Sequence, residues 1–290
     1  MEGVPFTVAM VNRKGGVGKS GSCHQLSGCF ARLGLRVLLA DMDPQASLTQ
    51  GFFGPAATEA LPPGKTALAL FDDAYDPDPE ELLAPTAFER ITVLPGAHAL
   101  DRFNKPEPET TGPLQRSLGA FLGEVKGRFD VVLIDCPPNL YLCSWNALLA
   151  ADFVVVPLQA EDFGAQGIPH IQRAIDLVAG TANPKLKLMG YLLTLFDKRL
   201  AIHLAYEERL RELYGPMVLD AVFPARKDIK EAIASRRPIH HLRPRASAAR
   251  EVMAIAEEIL RRVPETRARP AGLLRPGERA AGGQITRRAI

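Results

Sequence analysis

The chain has 290 residues, 47% hydrophobic and 23% charged, with a formal net charge of +2. That balance describes a globular protein of one or two domains with room for a large core. It gives no apolar run near the ~20 residues that a membrane span needs, and nothing before the first apolar run has the character of a signal peptide. The expected location is cytoplasmic. Four cysteines (Cys23, Cys29, Cys136, Cys143) have spacings that suit neither a zinc site nor a disulfide framework, so they read as small core residues in a reducing compartment.

Charge is unevenly placed along the chain. Residues 55–110 carry eleven acids against Lys65, Arg90, Arg102 and Lys105. From Arg226 to Arg250 the balance reverses, with eight basic residues against Asp228 and Glu231. Such asymmetry points to a polyanion on one face.

In chain order, residues 6–11 form an apolar run that predicts a strand. The loop Asn12-Arg13-Lys14-Gly15-Gly16-Val17-Gly18-Lys19-Ser20 follows. Cys23, Leu26, Phe30 and Leu33 then recur at steps of three and four, which predicts a helix. Strand, glycine-rich loop and helix are the context of a phosphate cradle, in which backbone N–H groups and the helix dipole converge on phosphate oxygens. Gly15, Gly16, Val17 and Gly18 supply the backbone, Lys19 a charge for the outer phosphates, and Ser20 a hydroxyl for a magnesium ion. The first glycine of the G-x-x-x-x-G-K-[ST] pattern is replaced by Arg13, with a second lysine, Lys14, beside it.

Residues 36–41 predict a second buried strand ending in Asp41, with Asp43 and Pro44 opening a loop. Short helices are expected at 66–71 and 79–83, a strand at 91–95 and a helix at 114–126. Val131-Val132-Leu133-Ile134-Asp135 is an apolar strand ending in a carboxylate, the form of a Walker B element. Asp135 is thus the candidate to hold the magnesium through water, Asp41 a further metal candidate, and Asp43 the candidate to orient the attacking water. Further helices are expected at 142–150, 164–178, 204–214 and 229–235, with strands at 153–157, 188–194 and 218–223. Ala248, Val252, Ile255, Ile259 and Val263 mark one face of a last helix. Alternating strands and helices predict an α/β fold, a doubly wound and mainly parallel sheet with helices on both faces. It should fill one domain over 1–263, with ligands at the strands' C-terminal ends. Residues 264–290, rich in Pro, Gly, Ala and Arg, are expected to be a flexible tail.

The motif Lys14-Gly15-Gly16-Val17-Gly18-Lys19-Ser20, the stretch Asp41-Met42-Asp43-Pro44-Gln45 and the stretch Asp135-Cys136-Pro137-Pro138 together resemble the ParA/Soj branch of the deviant Walker-A ATPases, the superfamily that also contains MinD. Val156-Pro157-Leu158-Gln159-Ala160-Glu161 with Gln166-Gly167 resembles the family's next block. The likeness continues more faintly through Thr194-Leu195-Phe196-Asp197, Phe223-Pro224 and Arg237-Pro238-Ile239. The chain resembles the short form, without an N-terminal helix-turn-helix. The resemblance implies a slow ATPase dependent on Mg2+, with Lys14, Lys19 and Asp43 catalytic and Gly21 and Pro224 joining the loop in holding nucleotide. It implies a homodimer formed with ATP, in which Lys14 reaches the partner's phosphates. That dimer binds double-stranded DNA without sequence preference, on the nucleoid, until a centromere-binding ParB-type stimulator triggers hydrolysis, and so partitions a plasmid or chromosome.

Two departures from the family's pattern stand out: Gly21 replaces its usual threonine, and Ala225 and Asp228 occupy its usual arginine slots. The DNA-binding candidates are therefore Arg226, Lys227, Lys230, Arg236, Arg237, Arg243 and Arg245. A MinD-like membrane role is disfavoured by the prolines and glycines that break the tail, and an iron–sulfur role by the cysteine spacing. The alternative is a positioning or regulatory ATPase of the same fold acting on a protein cargo.

Overall fold

Strands form where the sequence is apolar on both sides of the pleat. A computed structural model describes residues 5–125, 127–160 and 167–264. Its elements begin with β1 (Phe6–Met10), α1 (Lys19–Arg32), β2 (Val37–Asp41), α2 (Ser47–Phe53), α3 (Pro55–Glu59), α4 (Pro79–Leu82), β3 (Ala84–Pro85) and β4 (Ile91–Leu94). They continue through α5 (Ser117–Glu124), β5 (Val131–Asp135), α6 (Leu142–Ala150), β6 (Phe153–Gln159), α7 (Ile168–Thr181) and β7 (Lys187–Thr194). Last come α8 (Ala201–Tyr214), α9 (Lys227–Ala234), α10 (Ile239–Leu242) and α11 (Ser247–Arg262).

The sheet order is β3-β4-β2-β5-β1-β6-β7, parallel except for the β3–β4 pair. Alternate residues feed two cores. Phe6, Val8, Met10, Val37, Leu39, Val131 and Leu133 pack with α1 and α11 on one face, while Ala9, Leu38, Ala40, Val132 and Ile134 pack with α5, α6 and α7 on the other. This is the expected doubly wound sheet, and both faces are covered as a parallel sheet requires. The five expected positions of the last helix are all buried.

Several expectations need correcting. Residues 218–223 do not form a strand; single bridges join Tyr191 to Val218 and Phe196 to Pro224. The Leu219 and Phe223 N–H groups reach the Tyr191 and Leu193 carbonyls of β7, but between them the Glu258 carboxylate of α11 accepts the Asp220 and Ala221 N–H groups at 3.0 and 2.8 Å, taking the Ala221 donor that a ladder would use. The turn near residue 66 is a 3-10 helix (Ala67–Leu70), and the fifth helix is preceded by another (Gly112–Arg116). Helices α2, α3 and α10 were not foreseen; Gly51, Gly54 and Pro55 interrupt any apolar period there. The first residues expected for α7 and the tail 265–290 lie outside the described residues. No helix among the described residues is long and apolar enough to cross a membrane.

α1 packs closely on α10, and a Cβ placed on Gly28 would lie 2.4 Å from the Pro238 Cβ. A methyl there overpacks the contact, so Gly28→Ala should lower stability by about 1–3 kcal/mol. Urea unfolding measures this, and an unchanged midpoint would contradict the close approach.

Candidate active site

The register of three central strands assembles the site. Met10 pairs with Asp135 and Asp41 pairs with the same Asp135, so the loop leaving β1 and both carboxylates reach the sheet edge side by side. From β1 the chain turns through Asn12. Its Nδ2 donates to the Pro157 carbonyl at 2.6 Å, and its Oδ1 accepts the Lys14 N–H at 2.9 Å. Gly16 and Gly18 stand at φ 76° and 80°, the left-handed region that a side chain resists. Gly18 is the last residue before α1. From β7, the Thr194 hydroxyl donates to the Val17 carbonyl at 2.8 Å and braces the loop from below.

The two lysines are placed differently. Lys19 is buried, and its Nζ donates to the Lys14 carbonyl at 3.0 Å. Burial lowers its pKa, and the nearby charge of Asp135, with smaller help from Asp43, opposes the shift. Lys14 is exposed and lines a cleft of about 890 Å³, together with Asn12, Tyr141, Gln159, His170 and Tyr206.

The three aspartates also differ. Asp41 is fully buried but occupied: its Oδ2 accepts the Thr49 N–H at 2.8 Å and hydroxyl at 2.7 Å, and its Oδ1 the Asp43 N–H at 3.2 Å. Burial pushes its carboxyl up to about 7, while Thr49 holds it down. The structure therefore gives Asp41 a bracing role that its metal candidacy did not anticipate. Asp43 closes an Asx turn, its Oδ1 accepting the Gln45 N–H at 3.0 Å.

Neither carboxyl oxygen of buried Asp135 has a hydrogen-bond partner among the described residues. Burial and then the charge of Asp41 hold its carboxyl well above the usual carboxylate range, with the Ser20 side chain near enough to oppose the shift. An orphaned buried carboxyl beside a hydroxyl calls for a cation. Ser20 and Asp135 fit Mg2+, which takes few protein ligands and fills its octahedron with phosphate oxygens and water. No cluster of three or more acidic, His or Cys side chains among the described residues could hold a metal without such help.

Residues 14–20, Asp41, Asp43 and Asp135 thus come together. Gly21 faces α9, where an added Cβ would sit 3.7 Å from Ile233. Pro224 is buried at the bridge beyond β7 and does not line the cleft. The basic candidates lie apart from the site, around α9 and α10. Three of them are neutralised: Arg226 by Glu251 at 3.0 Å, Lys227 by Glu231 at 3.2 Å, and Arg243 by Asp228 and Glu231 at 2.6 and 2.7 Å. Lys230, Arg236, Arg237 and Arg245 have no ion pair among the described residues. Asn12 and Thr49 had escaped notice, and Thr194 had entered only through resemblance. A single polar residue beside a motif gives no periodic or spacing signal.

Comparison with known proteins places this geometry. Residues 6–188 match the family model described as an AAA domain. The sporulation initiation inhibitor protein Soj of Bacillus subtilis is 31% identical over 255 residues, 87% of this chain and 97% of Soj. The chromosome partitioning protein ParA of Caulobacter vibrioides is 31% identical over 266 residues, 91% of this chain and 97% of that protein. The chain belongs to the ParA/Soj family of P-loop ATPases.

Among solved structures, a cobyrinic acid a,c-diamide synthase from Mycobacterium smegmatis, with bound ATP analogue and magnesium, superposes with a TM-score of 0.74 at 29% identity. It covers 89% of this chain and 95% of its own. A plasmid partition protein of Borrelia burgdorferi shares the fold at 22% identity and a TM-score of 0.70, over 90% of this chain and all of its own.

The Thr49 contact gives a direct test. Thr49→Val removes a buried hydroxyl that donates to Asp41 and accepts the Gly96 N–H at 2.9 Å. Loss of these bonds should cost about 1–3 kcal/mol of stability, read by urea unfolding; no loss would show that the Thr49 and Asp43 N–H groups hold Asp41 without the hydroxyl.

Proposed function

We propose that this chain is a DNA partition ATPase whose ATP-bound form is a sandwich dimer on non-specific duplex DNA. Hydrolysis, stimulated by a centromere-binding ParB-type partner, releases it. The observation that carries this reading is the division of labour between the lysines. Lys19 is buried beside Asp43 and Asp135. Lys14, five residues earlier, is exposed on an open cleft. A lysine in that position serves a phosphate brought by another molecule, and charge supplied in trans where it develops on the transferring phosphoryl group is how such sites are completed.

In this scheme the backbone of Gly15, Gly16, Val17 and Gly18 binds and orients the phosphates of ATP, with Lys19 on the outer ones. Ser20 and Asp135, through water, would hold Mg2+, which neutralises phosphate charge when bound. Asp43 holds the attacking water. Lys14 binds the partner's nucleotide and so ties dimerisation to ATP. Relatives named for chromosome partitioning, matched over most of both chains, support the assignment.

The second reading, a positioning ATPase with a protein cargo, draws support from the three basic residues already spent on carboxylates. The DNA reading rests on the other four. Eight such charges in a dimer predict that log K falls with log salt at a slope of about −7. Gel shifts on duplexes of unrelated sequence test this. Retardation should appear with ATP and not ADP, and should persist longest for Asp43→Ala, which keeps ATP. No ATP-dependent shift at low salt would favour the protein cargo.

A further inference from the structure

The end of α1 remote from the phosphate loop brings two arginines together with two histidines. α1 has fourteen residues and so is about 21 Å long. At its C-terminal end is a cavity of about 250 Å³ lined by Ala31, Arg32, Glu89, Arg90, His240 and His241. These side chains come from three separate segments. Arg32 closes α1, Arg90 stands in a left-handed turn (φ 69°) before β4, and the histidines belong to α10.

Two arginines face one lining acid, Glu89, and Asp130 lies near enough to Arg90 to feel its charge. Arg32 makes no ion pair among the described residues. Arg90 donates to the Gly34 carbonyl at 3.1 Å and is 3.5 Å from Glu89, whose side chain is 87% exposed. His240 is 8% exposed, and neither ring nitrogen has a hydrogen bond of ordinary geometry, although the Ala249 backbone lies close by. His241 packs against Phe88 with ring centroids 4.6 Å apart and the planes tilted by 43°, and its Nε2 is buried with no hydrogen-bond partner among the described residues. Burial lowers the pKa of both imidazoles; Arg32 adds to this at His240 against the Ala249 backbone, and Arg237 and then Arg32 add to it at His241. Two arginines on one cavity, with the exposed Glu89 as its one lining acid, leave an excess of positive charge that an anion would offset, and arginine's fork of donors suits phosphate in particular.

We propose that this cavity is a phosphate-binding pocket, separate from the nucleotide site, in which Arg32 and Arg90 hold the phosphate beside the imidazoles of His240 and His241. It adjoins the basic segment: the Arg237 guanidinium, one of the DNA candidates, donates to the His241 carbonyl at 3.0 Å. A phosphate here is either one of the DNA backbone, extending the basic surface to the foot of α1, or free in solution. The first source rests on the DNA-binding reading; the pocket does not.

The test uses the full chain with its nucleotide site filled by ADP. Inorganic phosphate is titrated while the histidine ring signals are followed by NMR. The expected result is a saturable shift of the His240 and His241 signals, with affinity reduced about ten-fold or more in Arg32→Gln/Arg90→Gln, as loss of charged hydrogen bonds predicts. Both arginines are exposed, so the variant should fold and keep its basal ATPase rate.

In parallel, the salt dependence of ATP-dependent DNA binding is compared between the two proteins. If the pocket takes a backbone phosphate, the slope falls by about two for a dimer. An unchanged slope alongside the phosphate shift assigns the pocket to free phosphate. A chain that binds no DNA but shows the shift keeps the pocket and loses the partition reading. Ring signals that ignore phosphate, or respond equally in the variant, overturn the pocket.

Discussion

Two aspartates at the ends of neighbouring parallel strands, buried side by side, are the constraint around which this protein is built. The register that pairs Asp41 with Asp135 is the same one that pairs Asp135 with Met10 at the mouth of the phosphate loop. Two carboxyls cannot both ionise cheaply in such a place. The chain resolves this unequally. Thr49 and the Asp43 backbone satisfy Asp41, while Asp135 is left with no partner beyond the neighbourhood of Ser20 and Lys19. The protein's own groups do not satisfy Asp135; a divalent cation with phosphates is the ligand its chemistry fits. Binding energy is thereby concentrated where the chemistry takes place.

α1 carries that constraint across the molecule. Gly21 lies against Ile233, Gln25 Oε1 accepts the Ile239 N–H at 2.6 Å, Gly28 meets Pro238, and Arg32 ends at the cationic cavity. These positions recur at steps of four, three and four, one stripe along a helix. The basic segment is thus seated along the helix whose first turn carries Lys19 and Ser20 of the phosphate loop. On the same flank, His24 hydrogen-bonds to the Gly51 carbonyl of α2 at 3.1 Å and to Gln25 at 2.9 Å. A polar chain therefore runs from the helix that secures Asp41 to the backbone beneath the arginines. How the basic segment presents its charges depends on this seating as well as on composition.

Much of this was legible in the sequence. The central strands show as unbroken apolar runs because both of their faces are covered, and Asp135 and Lys14 are marked by where those runs end. The stripe on α1 is not legible, since Gly21, Gln25, Gly28 and Arg32 share no hydrophobicity and acquire meaning only opposite α9 and α10. Residues 218–223 read as a strand because nothing local reveals that Glu258, far along the chain, takes their amides. Asp228 and Glu231 are visible within the basic run, but the sequence does not show which bases they pair with, nor that Glu251 pairs with Arg226.

The central claim is that the phosphate loop is half of a shared site, with Lys14 acting on the partner's nucleotide. Mixing two inactive variants tests it most directly. A Lys19→Ala chain does not hold nucleotide but offers its Lys14; a Lys14→Ala chain holds nucleotide but offers no lysine. If Lys14 works across the dimer, the mixture should hydrolyse ATP although neither variant does so alone. If Lys14 serves its own subunit, the mixture will stay as inactive as its parts, and the shared site is contradicted.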